Sequence, residues 1–134
     1  MSYMLDTDIC IYIIQKQPEQ VLRKFQSFSI GDICISSITL AELSYGVEKS
    51  KHHQKNRAAL REFTLPLNIL AFDEEVASYY AYIRVYLEKK GIPIGALDLM
   101  IAAHAQCTQS ILVTNNTREF IRIPKLKIEN WAHD

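Results

Sequence analysis

A short apolar run ending in two carboxylates, Tyr3-Met4-Leu5-Asp6-Thr7-Asp8, constrains this chain most. Such a run reads as a buried strand of a parallel sheet, with Asp6 at its carboxyl end. In open α/β sheets that end is where ligands and chemistry sit. Two acids placed there repel each other unless something positive neutralises them, and a hard divalent cation is the usual partner. A plainer role is that Asp8 caps the following helix. That role can serve Asp8 alone; it fits the pair less well.

The sequence has 134 residues, the size of one ordinary domain spanning 1–134. Its 49% hydrophobic content is enough for one core and argues against disorder. Lys plus Arg equals Asp plus Glu at 15 each, so the net charge is zero. This excludes the strongly basic profile of a protein that coats nucleic acid. A nucleic-acid enzyme remains compatible, because an acidic pocket offsets basic residues elsewhere. Cys10, Cys34 and Cys107 lack any Cys-x-x-Cys spacing and read as reduced, buried thiols. No signal-peptide pattern and no apolar run of ~20 residues is present, so the expectation is a soluble cytoplasmic protein with no membrane partner.

Five segments read as strands: Tyr3 to Leu5, Ile33 to Ser36, Leu67 to Ala71, Ser110 to Thr114, and Leu126 to Ile128. Helical patterns alternate with them. Asp73 reads as an N-cap, followed by Val76, Tyr80, Ile83 and Leu87 at helical spacing and by Gly91 as the stop. Leu40, Leu43 and Val47 mark a second stripe, and Leu99 to Ala105 a small, well-buried helix. This alternation predicts an α/β fold with a mainly parallel central sheet.

Further acids recur at strand ends or at starts of buried helices. Glu42 shares a helix face with Ile38 and Tyr45, which is not the face of a solvated charge. Its competing role is a capping box with Thr39. Asp98 shares a face with Ile101, Ala102 and Ala105. It is either an N-cap or a ligand; a helix starting near Gly95 places it too far inside to cap. The turn Thr114-Asn115-Asn116-Thr117-Arg118-Glu119 follows another strand, and Asn116 or Glu119 supplies the outer part of a metal site or merely an Asn-rich turn. An oxygen-only set suits Mg²⁺ or Mn²⁺ rather than zinc, and such a cluster serves phosphoryl chemistry. Lys51, Lys55 and Arg57 belong to a basic stretch from Lys49 to Arg61. It is either the solvated face of a helix or a contact for an RNA backbone or a partner.

These residues, in this order, resemble the PIN-domain ribonucleases, and among them the VapC toxins of bacterial type II toxin–antitoxin systems. The resemblance runs through Met4-Leu5-Asp6-Thr7-Asp8, Ile35-Ser36-Ser37-Ile38-Thr39-Leu40-Ala41-Glu42-Leu43, Ile94-Gly95 with Asp98, Thr114-Asn115-Asn116 with Glu119-Phe120, and Ile128-Glu129-Asn130-Trp131. It implies an α/β/α sandwich and a Mg²⁺- or Mn²⁺-dependent endoribonuclease that inhibits translation. Asp6, Glu42 and Asp98 fall on the family's principal acids, and Thr7 on a small polar residue beside them. The resemblance also implies a homodimer, inhibition by a cognate VapB antitoxin, and operator DNA bound only through that antitoxin. For this type it implies initiator tRNA as substrate, cut in the anticodon stem-loop.

Two departures stand out. Many relatives carry Asn where this chain has Asp8, and the family's fourth acid often falls where Asn116 stands. The expected catalytic set is therefore Asp6, Glu42, Asp98 and Glu119, with Asp6, Asp98 and Asn116 toward the metal. Asp6-Thr7-Asp8 also matches the opening of haloacid-dehalogenase-like phosphatases, in which Asp6 is a nucleophile. That chemistry needs a downstream Lys and an acidic pair in the last third, and no such acidic pair is there. A non-catalytic domain that binds RNA or a partner is the other alternative, motivated by the amide at Asn116.

Overall fold

The computed structural model describes residues 2–132. Its strands are β1 (Tyr3–Leu5), β2 (Ile33–Ser36), β3 (Asn68–Leu70), β4 (Ile111–Val113) and β5 (Ile128–Glu129). They form one sheet in the order β3-β2-β1-β4-β5, with every pairing parallel. Seven helices connect them: α1 (Thr7–Gln15), α2 (Glu19–Gln26), α3 (Ser37–Lys49), α4 (His53–Thr64), α5 (Glu74–Lys89), α6 (Ala96–Cys107) and α7 (Thr117–Phe120). The last strand begins two residues later than the sequence suggests. Leu126 precedes it, following the left-handed Lys125.

Alternation along the strands divides the interior into two cores. Met4, Cys34 and Leu112 face one side and pack against Val76, Ile83 and Leu87 of α5 and Leu99 to Ala105 of α6. Leu5, Ile33, Ile35 and Val113 face the other, against α1 to α4. Helices thus cover both faces, the expected α/β/α sandwich. Trp131 closes the second core, its ring stacked on Phe28 at 5.3 Å.

Helix α5 shows how local signals set the boundaries. Asp73 Oδ1 accepts the N–H of Val76 at 3.2 Å at its start. Gly91, at φ +72°, ends it, and the N–H groups of Gly91 and Ile92 satisfy the carbonyls of Glu88 and Leu87. Among the described residues no helix is long and apolar enough to cross a membrane.

The chain fills the sheet outward from β1 to β2 and β3, then returns to the other side of β1 to lay down β4 and β5. The strand order therefore reverses between β1 and β4. The crevice above that point, at the carboxyl ends of the strands, is where such sheets bind ligands. Asp6 and Thr114 stand there side by side.

Candidate active site

Asp6 directly follows β1, and its N–H donates to the Val113 carbonyl at 3.0 Å. Its Oδ1 accepts the N–H of Ile9 at 3.0 Å, so Asp6, not Asp8, caps α1. Asp8 sits exposed in the first helical turn. Asp6 is only 5% exposed. That burial pushes its carboxyl up to about 7, against hydrogen bonds from the Thr114 hydroxyl and Ile9 N–H that lower it; the charges of Asp8 and Asp98 add to the rise.

Glu42 lies in the second turn of α3. The cap of that helix is Ser36, whose Oγ accepts the Ile38 N–H at 3.0 Å. Thr39 is therefore already inside the helix and forms no capping box with Glu42. Instead Glu42 Oε1 accepts the Thr7 hydroxyl at 2.6 Å. This bond ties the start of α1 to α3 across 35 residues of chain.

Asp98 is the third residue of α6, which starts after Gly95 without a side-chain cap. It is half-buried and does not cap the helix. Burial raises its carboxyl to about 6, and repulsion from Glu119, Glu42 and Asp8 adds to the rise. Asn116 Nδ2 donates to Glu119 Oε2, so the two candidates for the outer position are joined to each other. The backbone N–H of Asn116 donates to Thr114 Oγ1 at 2.9 Å. Thr114 thus links this turn to Asp6.

Among the described residues these acids have no cationic partner. The ion pairs among the described residues are Arg23–Glu19, Arg57–Glu48 and Arg84–Glu88, all on the surface. Burial is the main reason Asp6 and Asp98 are raised, and repulsion between neighbouring carboxylates adds to it. Among the described residues no three His, Cys, Asp or Glu side chains form a preformed metal cage. Lys51, Lys55 and Arg57 are exposed in the turn before α4 and on α4 itself, and Arg57 is paired with Glu48 at 2.7 Å.

Comparison with known proteins places this arrangement in a family. A family model described as the PIN domain matches residues 3–126. Ribonuclease VapC2 of Rickettsia felis is 47% identical over 132 residues, covering 98% of each chain. The chain belongs to the PIN-domain family, in its VapC branch. The tRNA(fMet)-specific endonuclease VapC of Shigella flexneri is 42% identical, over 98% of this chain and 99% of that protein. The crystal structure of Rickettsia felis VapBC2 bound to a promoter DNA fragment superposes with a TM-score of 0.92. It is 45% identical and covers 98% of this chain and 99% of its own. The comparisons do not favour the phosphatase alternative.

A divalent cation fits this PIN domain on the chemistry of its donors. They are oxygen-only, buried or half-buried, and no ion pair among the described residues offsets their charge. Mg²⁺ keeps several waters and usually takes only one or two carboxylates, so a closed cage is not required of it. Beside the acids lies a groove of about 270 Å³, lined by Ile11 and Ile14 of α1, Glu42 and Leu43 of α3, and Ala59 and Leu60 of α4.

Three features escaped the sequence. Thr114 ends an apolar strand, and only the pairing of β4 with β1 puts its hydroxyl on Asp6. The groove arises where α1 packs against the consecutive helices α3 and α4. His104 lies inside the apolar helix α6 and is 1% exposed, with Nδ1 2.8 Å from Ser36 Oγ. A titratable residue inside a small apolar helix was the one available signal for it.

Proposed function

We propose that this chain is a divalent-metal-dependent endoribonuclease, the toxin of a VapBC pair, which cuts initiator tRNA in the anticodon stem-loop and so inhibits translation in the cytoplasm. The observation that carries the reading is the uncompensated acid cluster at the reversal of strand order, with Asp6 raised to about 7 and Asp98 to about 6. Asp6 and Asp98 would hold Mg²⁺ or Mn²⁺, with Asn116 at the outer edge. The ion would supply charge neutralisation at the scissile phosphate and acidify water.

The chain's own groups do the rest. Thr7 fixes one oxygen of Glu42, leaving Oε2 to orient an attacking water and accept its proton. Asn116 holds Glu119 beside Asp98 in the same way. In-line attack by water leaves a 5′-phosphate and a 3′-hydroxyl, because no 2′-oxygen participates. Lys51, Lys55 and Arg57 provide backbone contacts to the stem.

The substrate is supported by the name of the Shigella flexneri relative, and the partner by the Rickettsia felis complex. The assembly proposed here is a homodimer of this chain with a cognate VapB antitoxin, reaching operator DNA only through that antitoxin. Sequencing RNA ends after induction of the chain in cells tests the reading. Expected are new 5′-phosphate ends within the anticodon stem-loop of initiator tRNA. Ends spread over messenger RNA, or cyclic phosphates, contradict it.

A further inference from the structure

The hydrogen bond between Ser36 and His104 stands outside the acid cluster, and no step above uses it. His104 Nδ1 and Ser36 Oγ lie 2.8 Å apart, across 68 residues of sequence. Ser36 is fully buried, and His104 is the one buried imidazole among the described residues. The same Ser36 oxygen caps α3 by accepting the Ile38 N–H. On the other side, Phe72 meets the imidazole edge-on at 5.8 Å, and its N–H donates to Ser37 Oγ at 3.0 Å. The first turn of α3, the chain entering α5 and the last turn of α6 are thereby fastened at one point.

The spacing gives this fastening a consequence. Ser36 and Glu42 are six residues apart along α3, and Asp98 and His104 are six apart along α6. At about 1.5 Å per residue each span is about 9 Å. The bond thus stands at equal helical distance from two acids that repel each other. The hydrogen bond sets the separation of α3 and α6 at that point, and the Phe72 contacts to Ser37 and His104 restrain pivoting about it. A buried polar bond is costly to break, because both groups would be left without partners.

We propose that His104 is a positioning residue: through Ser36 it holds α6 against α3 so that Asp98 keeps its place toward the cation, beside Glu42. This rests on the metal-dependent reading above. Groups that orient ligands from behind typically change metal affinity by about 10–100-fold when removed. Asn at position 104 places an amide where Nδ1 stands, and Gln places it where Nε2 stands. The two substitutions therefore keep polarity and differ in whether the Ser36 bond survives.

The test is calorimetric titration of Mn²⁺ into the purified chain, with folding checked by circular dichroism. Wild type should bind Mn²⁺; if it does not, the metal-dependent reading itself fails. With wild-type binding in hand, His104→Gln and Ser36→Ala should bind about tenfold more weakly or worse, and His104→Asn should stay within about threefold of wild type. A loss of stability alone would lower the folded fraction and leave the affinity of the folded protein unchanged. Wild-type affinity in Ser36→Ala and His104→Gln overturns the proposal. So does an equal loss in His104→Asn and His104→Gln. Where a His104 variant does not fold, Ser36→Ala decides.

Discussion

Asp6 holds two positions at once, the cap of α1 and the most buried acid of the cluster. Asn caps as well as Asp, so Asp6→Asn separates the two. It should lower RNA cleavage roughly 100-fold or more, by removing a charge the reaction needs. In chelator at pH 8 the same variant should be more stable than wild type, by on the order of a few kcal/mol. The direction follows from linkage. A carboxyl raised from 3.8 to about 7 binds more protons folded than unfolded between those values. Stability then falls as pH rises through that window, and Asp98, raised to about 6, acts in the same sense. Urea midpoints of the metal-free wild type should decline from pH 4 to pH 7, and the decline should be shallower in Asp6→Asn. A rise over that range contradicts the assignment.

At the scale of elements, boundaries were legible wherever a local signal made them. Asp73 and Gly91 bracket α5 because a cap and a left-handed residue are properties of a few adjacent atoms. Gly91→Ala should cost about 1–2 kcal/mol in thermal or urea unfolding and leave cleavage unchanged, since φ +72° strains any side chain although the space there is open. The roles of Glu42 and Thr39 were less legible, because a capping box and a site acid share one sequence pattern; the cap at Ser36 decided between them. Thr114 and His104 were missed because their partners are set by strand pairing and helix packing, which no local window contains. The basic segment also belongs to this scale. With Lys51, Lys55 and Arg57 all replaced by Ala, tRNA cleavage should weaken and its log–log salt slope should flatten by about 2. An unchanged slope would show that α4 does not touch the RNA backbone.

At the scale of the whole molecule, the two-faced core and the strand order explain why acids spread from position 6 to position 119 gather above one crevice. The fold class was readable from alternating apolar runs. The side-by-side order of strands was not legible, because it is set by pairing between segments far apart in the chain. Of the four tyrosines on α5, Tyr80 and Tyr86 pack partly into the core, while Tyr79 and Tyr82 are 38% and 77% exposed. They flank a cavity of about 610 Å³ with Ile123 and Pro124. If this face joins two copies, Tyr82→Glu should shift sedimentation at micromolar concentration from dimer to monomer. The most direct measurement is cleavage of purified initiator tRNA by the purified chain, with Mg²⁺ and with excess chelator, beside an elongator tRNA. The account predicts one Mg²⁺-dependent cut in the anticodon stem-loop of the initiator alone, leaving a 5′-phosphate. Undiminished cutting in chelator, or equal cutting of both tRNAs, would contradict it.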